Sequence, residues 1–175
     1  SYDPDELEAR KSGKFMHLSG RIFKTFDRSV HVAKSEIVPP SSDVAHYMVV
    51  DPAIAKPLAM LWAYVDRAGF IHIYDEHPES DFEGSKDSGL TVVDYAQLIR
   101  QRESGRNIQT RILDRHFGNA RRTLGGLTLK QEFSQAGLDF VDSYHVGENI
   151  PEVETGILKV KEALRYDKSA ETSAL

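Results

Sequence analysis

An α/β fold built on one mixed sheet is what this sequence predicts, on three observations. Two apolar runs, Tyr47-Met48-Val49-Val50 and Ile112-Leu113, each end in an aspartate, Asp51 and Asp114. Both read as buried strands that deliver a carboxylate to a sheet edge. Three apolar runs follow one another closely between Val44 and Glu76, which reads as an antiparallel meander. Beyond them helical and strand-like segments alternate, the pattern of crossover connections and parallel strands.

The bounds set by composition agree. A chain of 175 residues, 40% hydrophobic and 28% charged, is the size and make-up of one globular domain. No apolar stretch reaches the roughly 18 to 20 residues of a membrane span, so no membrane partner is expected. The acidic, polar N-terminus carries no secretory signal. Cysteine is absent, which removes disulfides, thiolate nucleophiles and Cys-type zinc sites. A net charge of −5 is not the overall footprint of a nucleic-acid binder, although local basic patches still act locally. Ser12-Gly13-Lys14 is too short for a phosphate loop, so no ATP-binding engine is encoded.

The elements run as follows. Pro4 to Lys14 is charged and helix-prone, with Pro4 suited to a first turn. Gly20 to Asp27 offers apolar residues for a short strand, and Pro39-Pro40-Ser41-Ser42-Asp43 breaks the pattern. Val44 to Asp51 is the first central strand, stopped by Pro52, which cannot donate to a ladder. Leu58 to Asp66 is the second, Arg67-Ala68-Gly69 a hairpin turn, and Phe70 to Glu76 the third. In that third strand Ile71 and Ile73 alternate with His72 and Tyr74. Pro78 to Gly89 is an acidic loop. Thr91 caps a helix whose apolar face is Val92, Tyr95, Ala96, Leu98 and Ile99, ended by Gly105. Ile108 to Asp114 is the fourth strand. Thr128 and Gln131 form a capping box for a helix stopped by Gly137. Leu138 to Val141 is a short fifth strand. Val153, Ile157, Val160 and Leu164 recur at helical spacing over Pro151 to Tyr166. The polar tail from Lys168 frays.

Three antiparallel strands, then helix, strand, helix, strand, helix, is the order of the ribonuclease-H-like fold. In that arrangement the first and fourth strands lie side by side, and Asp51 and Asp114 become neighbours. Two adjacent carboxylates repel unless a cation sits between them, and oxygen ligands suit magnesium and manganese. The alternative is two unrelated turn aspartates, since aspartate is a common turn residue.

Longer stretches resemble a known family. Glu8 to Phe15, Leu18 to Phe23, Phe26-Asp27, His31-Val32, Val50-Asp51-Pro52-Ala53, Pro57 to Trp62, Gly69 to Glu76, Ile112-Leu113-Asp114 and the helix from Ile150 to Tyr166 together resemble the nuclease half of tailed-bacteriophage terminase large subunits. The resemblance covers nearly the whole chain, and the serial order of these segments carries it. It implies an arm or connector over residues 1–43, leading from an ATPase half, and a ribonuclease-H-like nuclease domain over 44–175. The implied activity is endonucleolytic cutting of concatemeric double-stranded viral DNA during genome packaging, with two Mg²⁺ or Mn²⁺ ions. Asp51 carries over as the central acid bridging both ions and Asp114 as the second. The implied partners are double-stranded DNA, the ATPase domain, the small terminase subunit and the portal, in the host bacterial cytoplasm. The family has a third acid near its far C-terminus. Here that region offers only Asp167 and Glu171 in a polar tail, so the nuclease domain is expected to lack its C-terminal part and to cut weakly or not at all alone.

Other residues carry weaker signals. Glu76, beside Asp75, ends the third strand and is a secondary metal-ligand candidate; a solvated strand end is the plainer reading. His116 follows Asp114 and can bind metal or shuttle a proton, but it fits a surface histidine better. Arg111, Arg115, Arg121 and Arg122 cluster around the fourth strand and a glycine-containing loop, which could track a DNA backbone or simply be solvated. Trp62 belongs to the core. The rivals to the nuclease reading are a junction resolvase, which usually starts at the first strand, and a non-catalytic docking module with the same fold.

Overall fold

The computed structural model describes residues 22–40, 44–52, 57–78, 89–121, 126–143 and 153–165. The chain divides into two compact units, 34–150 and 1–33 with 151–175. Of the expected elements, the Pro4–Lys14 helix, the acidic loop from Glu79 to Asp87, Arg122, Asp167 and Glu171 lie outside the described residues.

The larger unit is a five-stranded sheet. Its strands are β1 (Ala45–Asp51), β2 (Ala59–Val65), β3 (Ile71–His77), β4 (Ile108–Leu113) and β5 (Val141–Asp142), arranged β3-β2-β1-β4-β5. β1, β2 and β3 pair antiparallel, whereas β1–β4 and β4–β5 are parallel. This is the mixed sheet that the meander and the later alternation predicted. The β2–β3 turn is held by one side chain. Asp66 Oδ1 accepts from the amides of Ala68 and Phe70, both at 2.9 Å, and Oδ2 meets His72 Nε2 at 2.8 Å. The hydrogen bond to His72 first, and the Phe70 amide second, hold the Asp66 carboxyl below its ordinary pKa. Gly69, at φ +88°, supplies the left-handed step that the turn needs.

Two helices cover one face of the sheet. In α2 (Val92–Arg102) the predicted cap forms, with Thr91 Oγ1 accepting from Asp94 N at 3.3 Å and Asp94 Oδ2 from Thr91 N at 2.8 Å. The helix ends at Arg102, short of Gly105, which closes the following turn at φ +78°. The second capping box starts α4 (Leu129–Gln135), where Thr128 and Gln131 exchange the same pair of bonds. Between them lies a one-turn helix, α3 (Arg115–Gly118), where the sequence suggested only a glycine-containing loop. Asp114 explains it, because its side chain caps the turn.

Met48, Val50, Met60, Trp62 and Leu113 from the strands meet Tyr95, Ala96, Ile99, Leu129 and Phe133 from the helices. The Tyr95 hydroxyl accepts from Leu58 N at 3.2 Å and ties the start of β2 to α2. On the opposite face Ile71 and Ile73 remain 64% and 53% exposed, with Val49 and Leu61 beside them. The alternation in β3 is therefore real, but its aliphatic side faces away from the core. The core side carries His72 and Tyr74, which cluster with Tyr64 and His46. A register shift opposite Trp62 and Ala63 then puts Asp75 on the core side too. There it pairs with Arg102, whose guanidinium lies 5.4 Å from the centre of the Trp62 ring.

In the smaller unit, residues 22–27 are turn and coil instead of the expected strand. Asp27 diverts the chain into a single helical turn, α1 (Arg28–His31), by accepting from Ser29 N at 2.9 Å. The imidazole of His31 stacks on Phe26, and its Nε2 donates to the Leu164 carbonyl at 3.1 Å. Leu164 closes α5 (Val153–Ala163), the core of the predicted C-terminal helix.

Candidate metal centre

Every strand that runs in the direction of β1 ends at one edge of the sheet, and acids gather there. Asp51 is the last residue of β1. Buried and exposed residues alternate along that strand, so Asp51 shares the uncovered face with Val49 while Met48 and Val50 enter the core. Its exposed carboxylate makes no hydrogen bond or ion pair with any described residue.

Asp114 comes directly after β4. The register pairs Val50 with Leu113, so the next residues in line are Asp51 and Asp114. The amide of Asp114 donates to the Val50 carbonyl at 3.1 Å, which extends the parallel ladder up to the acid itself. Adjacent strands lie about 4.8 Å apart, so the two acids stand one strand spacing from each other. Asp114 Oδ1 accepts from Phe117 N at 3.0 Å and thereby fixes the carboxylate against the first turn of α3. The structure thus brings together the two aspartates singled out from the sequence. A pair of hard oxygen donors, one of them unengaged, fits a divalent cation such as Mg²⁺ or Mn²⁺. Among the described residues no group of three or more His, Asp or Glu side chains is gathered closely enough to hold a metal.

The other candidates are spread around this pair. Glu76 is opposite Leu61, which is opposite Val49, so Glu76 shares the face of Asp51 but sits two strands away. That is about 10 Å of sheet, too far to share an ion with Asp51. Arg111, in β4 as expected, is engaged elsewhere; its guanidinium grips the buried carboxylate of Glu103 through Nε at 3.0 Å and Nη2 at 2.5 Å. Arg115 and His116 are exposed on α3, and Arg121 is exposed in a bridge opposite Thr128.

A further acid at this edge escaped the sequence reading. Asp142 ends β5 opposite Leu113. The signal was the one that exposed Asp51 and Asp114, an apolar run closed by aspartate, here Phe140-Val141-Asp142. The run is short, and the reading stopped one residue early.

Packing around α3 is tight. A Cβ placed on Gly118 would come within 2.7 Å of both Cγ and Cδ2 of Leu113, a fully buried side chain one residue before Asp114. Gly118→Ala is expected to cost about 1–3 kcal/mol by overpacking. Thermal denaturation of the variant checks this.

With the geometry established, comparison with solved structures identifies the fold. The nuclease domain of the P22 large terminase superposes with a TM-score of 0.57, at 19% sequence identity, over 83% of this chain and 69% of that one. This chain has the fold of a terminase nuclease domain. No protein-family profile matches the sequence, and no curated protein matches it closely enough to count as a relative. Among the described residues no helix is long and apolar enough to cross a membrane.

Proposed function

We propose that this chain is a metal-dependent endonuclease domain of a phage terminase large subunit, cutting double-stranded viral DNA for packaging. The observation that carries the reading is the pairing of Asp51 and Asp114 at the ends of parallel strands, within the fold of a terminase nuclease domain. Asp51 and Asp114 would hold the catalytic Mg²⁺ or Mn²⁺. Bound there, divalent ions supply Lewis acidity, which makes water nucleophilic and offsets charge on the phosphate as the P–O bond breaks.

The remaining roles belong to the chain. Both carboxylates sit on strands, where pairing limits their movement, so the ligand geometry is preorganised before DNA arrives. The cap from Asp114 to Phe117 N selects one orientation of that carboxylate. Arg115, next in sequence to Asp114, and the exposed Arg121 would contact backbone phosphates near the cut. Asp51 on the uncovered sheet face, with Asp114 at the neighbouring strand end, leaves room for a duplex to approach. In the longer assembly the partners would be the ATPase half, the small subunit and the portal.

The test is direct. Closed circular plasmid incubated with the protein and Mn²⁺ is expected to be nicked only weakly, because no third acid joins Asp51 and Asp114 among the described residues, and excess EDTA to stop the nicking. Mn²⁺ binding that is absent, or that survives Asp51→Asn unchanged, would favour the docking-module reading.

A further inference from the structure

Asp142 has the look of a third metal ligand, yet its geometry assigns it a different task. Strand register decides which face a side chain takes. Asp142 lies opposite Leu113, which points into the core, whereas Asp51 points to the uncovered face. The Asp142 carboxylate is therefore turned toward the helices. There Oδ1 accepts from Lys130 Nζ of α4 at 2.8 Å and from Asn119 Nδ2 at 3.2 Å. The ion pair is largely sheltered, with the two side chains 30% and 21% exposed.

Asn119 connects this pair to the metal ligand. It is the C-cap of α3, and the same Nδ2 also donates to the Arg115 carbonyl at 3.1 Å. At the other end of that single turn stands Asp114, its N-cap. Ser143 adds a second tie. Its amide donates to the Leu113 carbonyl at 3.1 Å, and its hydroxyl accepts from Arg115 N at 3.4 Å. A one-turn helix has too few internal bonds to hold its own shape, so its geometry depends on such outside contacts.

We infer that Asp142 is a positioning residue, which fixes Asp114 for metal binding by clamping α3 through Asn119, with Lys130 holding the clamp in place. This rests on the reading of Asp51 and Asp114 as metal ligands. It differs from a ligand role in what substitution does. An asparagine at 142 keeps an oxygen that can accept from Asn119 and Lys130, whereas an alanine keeps none. A metal ligand would tolerate neither.

The experiment is Mn²⁺ titration of the folded chain, followed by electron paramagnetic resonance, on wild type, Asp142→Asn, Asp142→Ala and Asn119→Ala. Asp142→Ala and Asn119→Ala are expected to weaken Mn²⁺ binding about tenfold, the usual size of losing an outer-shell partner. Asp142→Asn is expected to stay within about threefold of wild type, because the acceptor oxygen is retained. Equal, large losses in Asp142→Asn and Asp142→Ala would overturn the proposal in favour of direct ligation. Unchanged Mn²⁺ affinity in Asp142→Ala, with only a lower melting temperature, would overturn it in favour of a purely structural pair. If wild type binds no Mn²⁺ at all, or Asp51→Asn binds as well as wild type, the underlying metal reading fails instead, and the two failures are told apart within one set of titrations.

Discussion

Asp51→Asn is expected to abolish divalent-ion binding and to reduce DNA cutting by about a hundredfold or more, while leaving the fold intact. The side chain is exposed and bonds no described residue, so no core contact is lost when it changes. What changes is charge and donor strength. A neutral amide oxygen opposite Asp114 leaves the pair with one negative charge in place of two, and hard cations bind through charge. Calorimetric Mn²⁺ titration and plasmid cutting should fall together, with an unchanged melting temperature. A variant that keeps cutting would show that the chemistry lies elsewhere on the chain. A docking module, by contrast, would be indifferent to this substitution in its partner binding.

The largest loss of stability is expected at Trp62. The indole is fully buried at the centre of the core, with the Arg102 guanidinium over its ring. Trp62→Ala should cost about 3–5 kcal/mol, equivalent to a fall of about 10 °C in melting temperature for a chain of this size. Trp62→Phe should cost far less than its lost volume suggests. The indole N–H is buried and has no acceptor among the described residues, and phenylalanine removes that unmet donor along with the extra ring. Chemical denaturation of the two variants separates the terms. Equal losses from phenylalanine and alanine would mean that the indole N–H is satisfied in solution.

Much of the sheet is written in short-range patterns. Strand ends are marked by aspartate or proline after an apolar run, and helix starts by Thr91 and Thr128 with their partners three residues on. These are local signals, and the structure honours each of them. The features that escaped depend on distant partners. The direction in which Ile71 and Ile73 face is set by which side of the sheet α2 and α4 cover, a choice that alternation alone does not encode. The register shift beside Trp62 places Asp75 against Arg102, a residue on another element. The fifth strand, expected over Leu138 to Val141, forms only at Val141–Asp142, because its extent depends on where β4 offers a ladder. For the candidate site, the strand-end positions of Asp51 and Asp114 were legible because each closes an apolar run, and their adjacency followed from the strand order. Asp142 carries the same local signal in a shorter run, but the role inferred for it depends on Lys130 and Asn119, which tertiary structure brings to it.

The parallel pairing of β1 with β4 also sets when the site can exist during folding. β1, β2 and β3 follow one another in sequence and pair with their immediate neighbours, so this ladder closes over short connections and can form early. β4 must return across the whole of β2, β3 and α2 before Asp114 reaches Val50, and long loop closures of this kind come late. A chain that has made only its meander carries Asp51 without its companion. Metal uptake in a refolding experiment should therefore lag behind the gain of β-structure, and would serve as a clock for the final closure of the sheet.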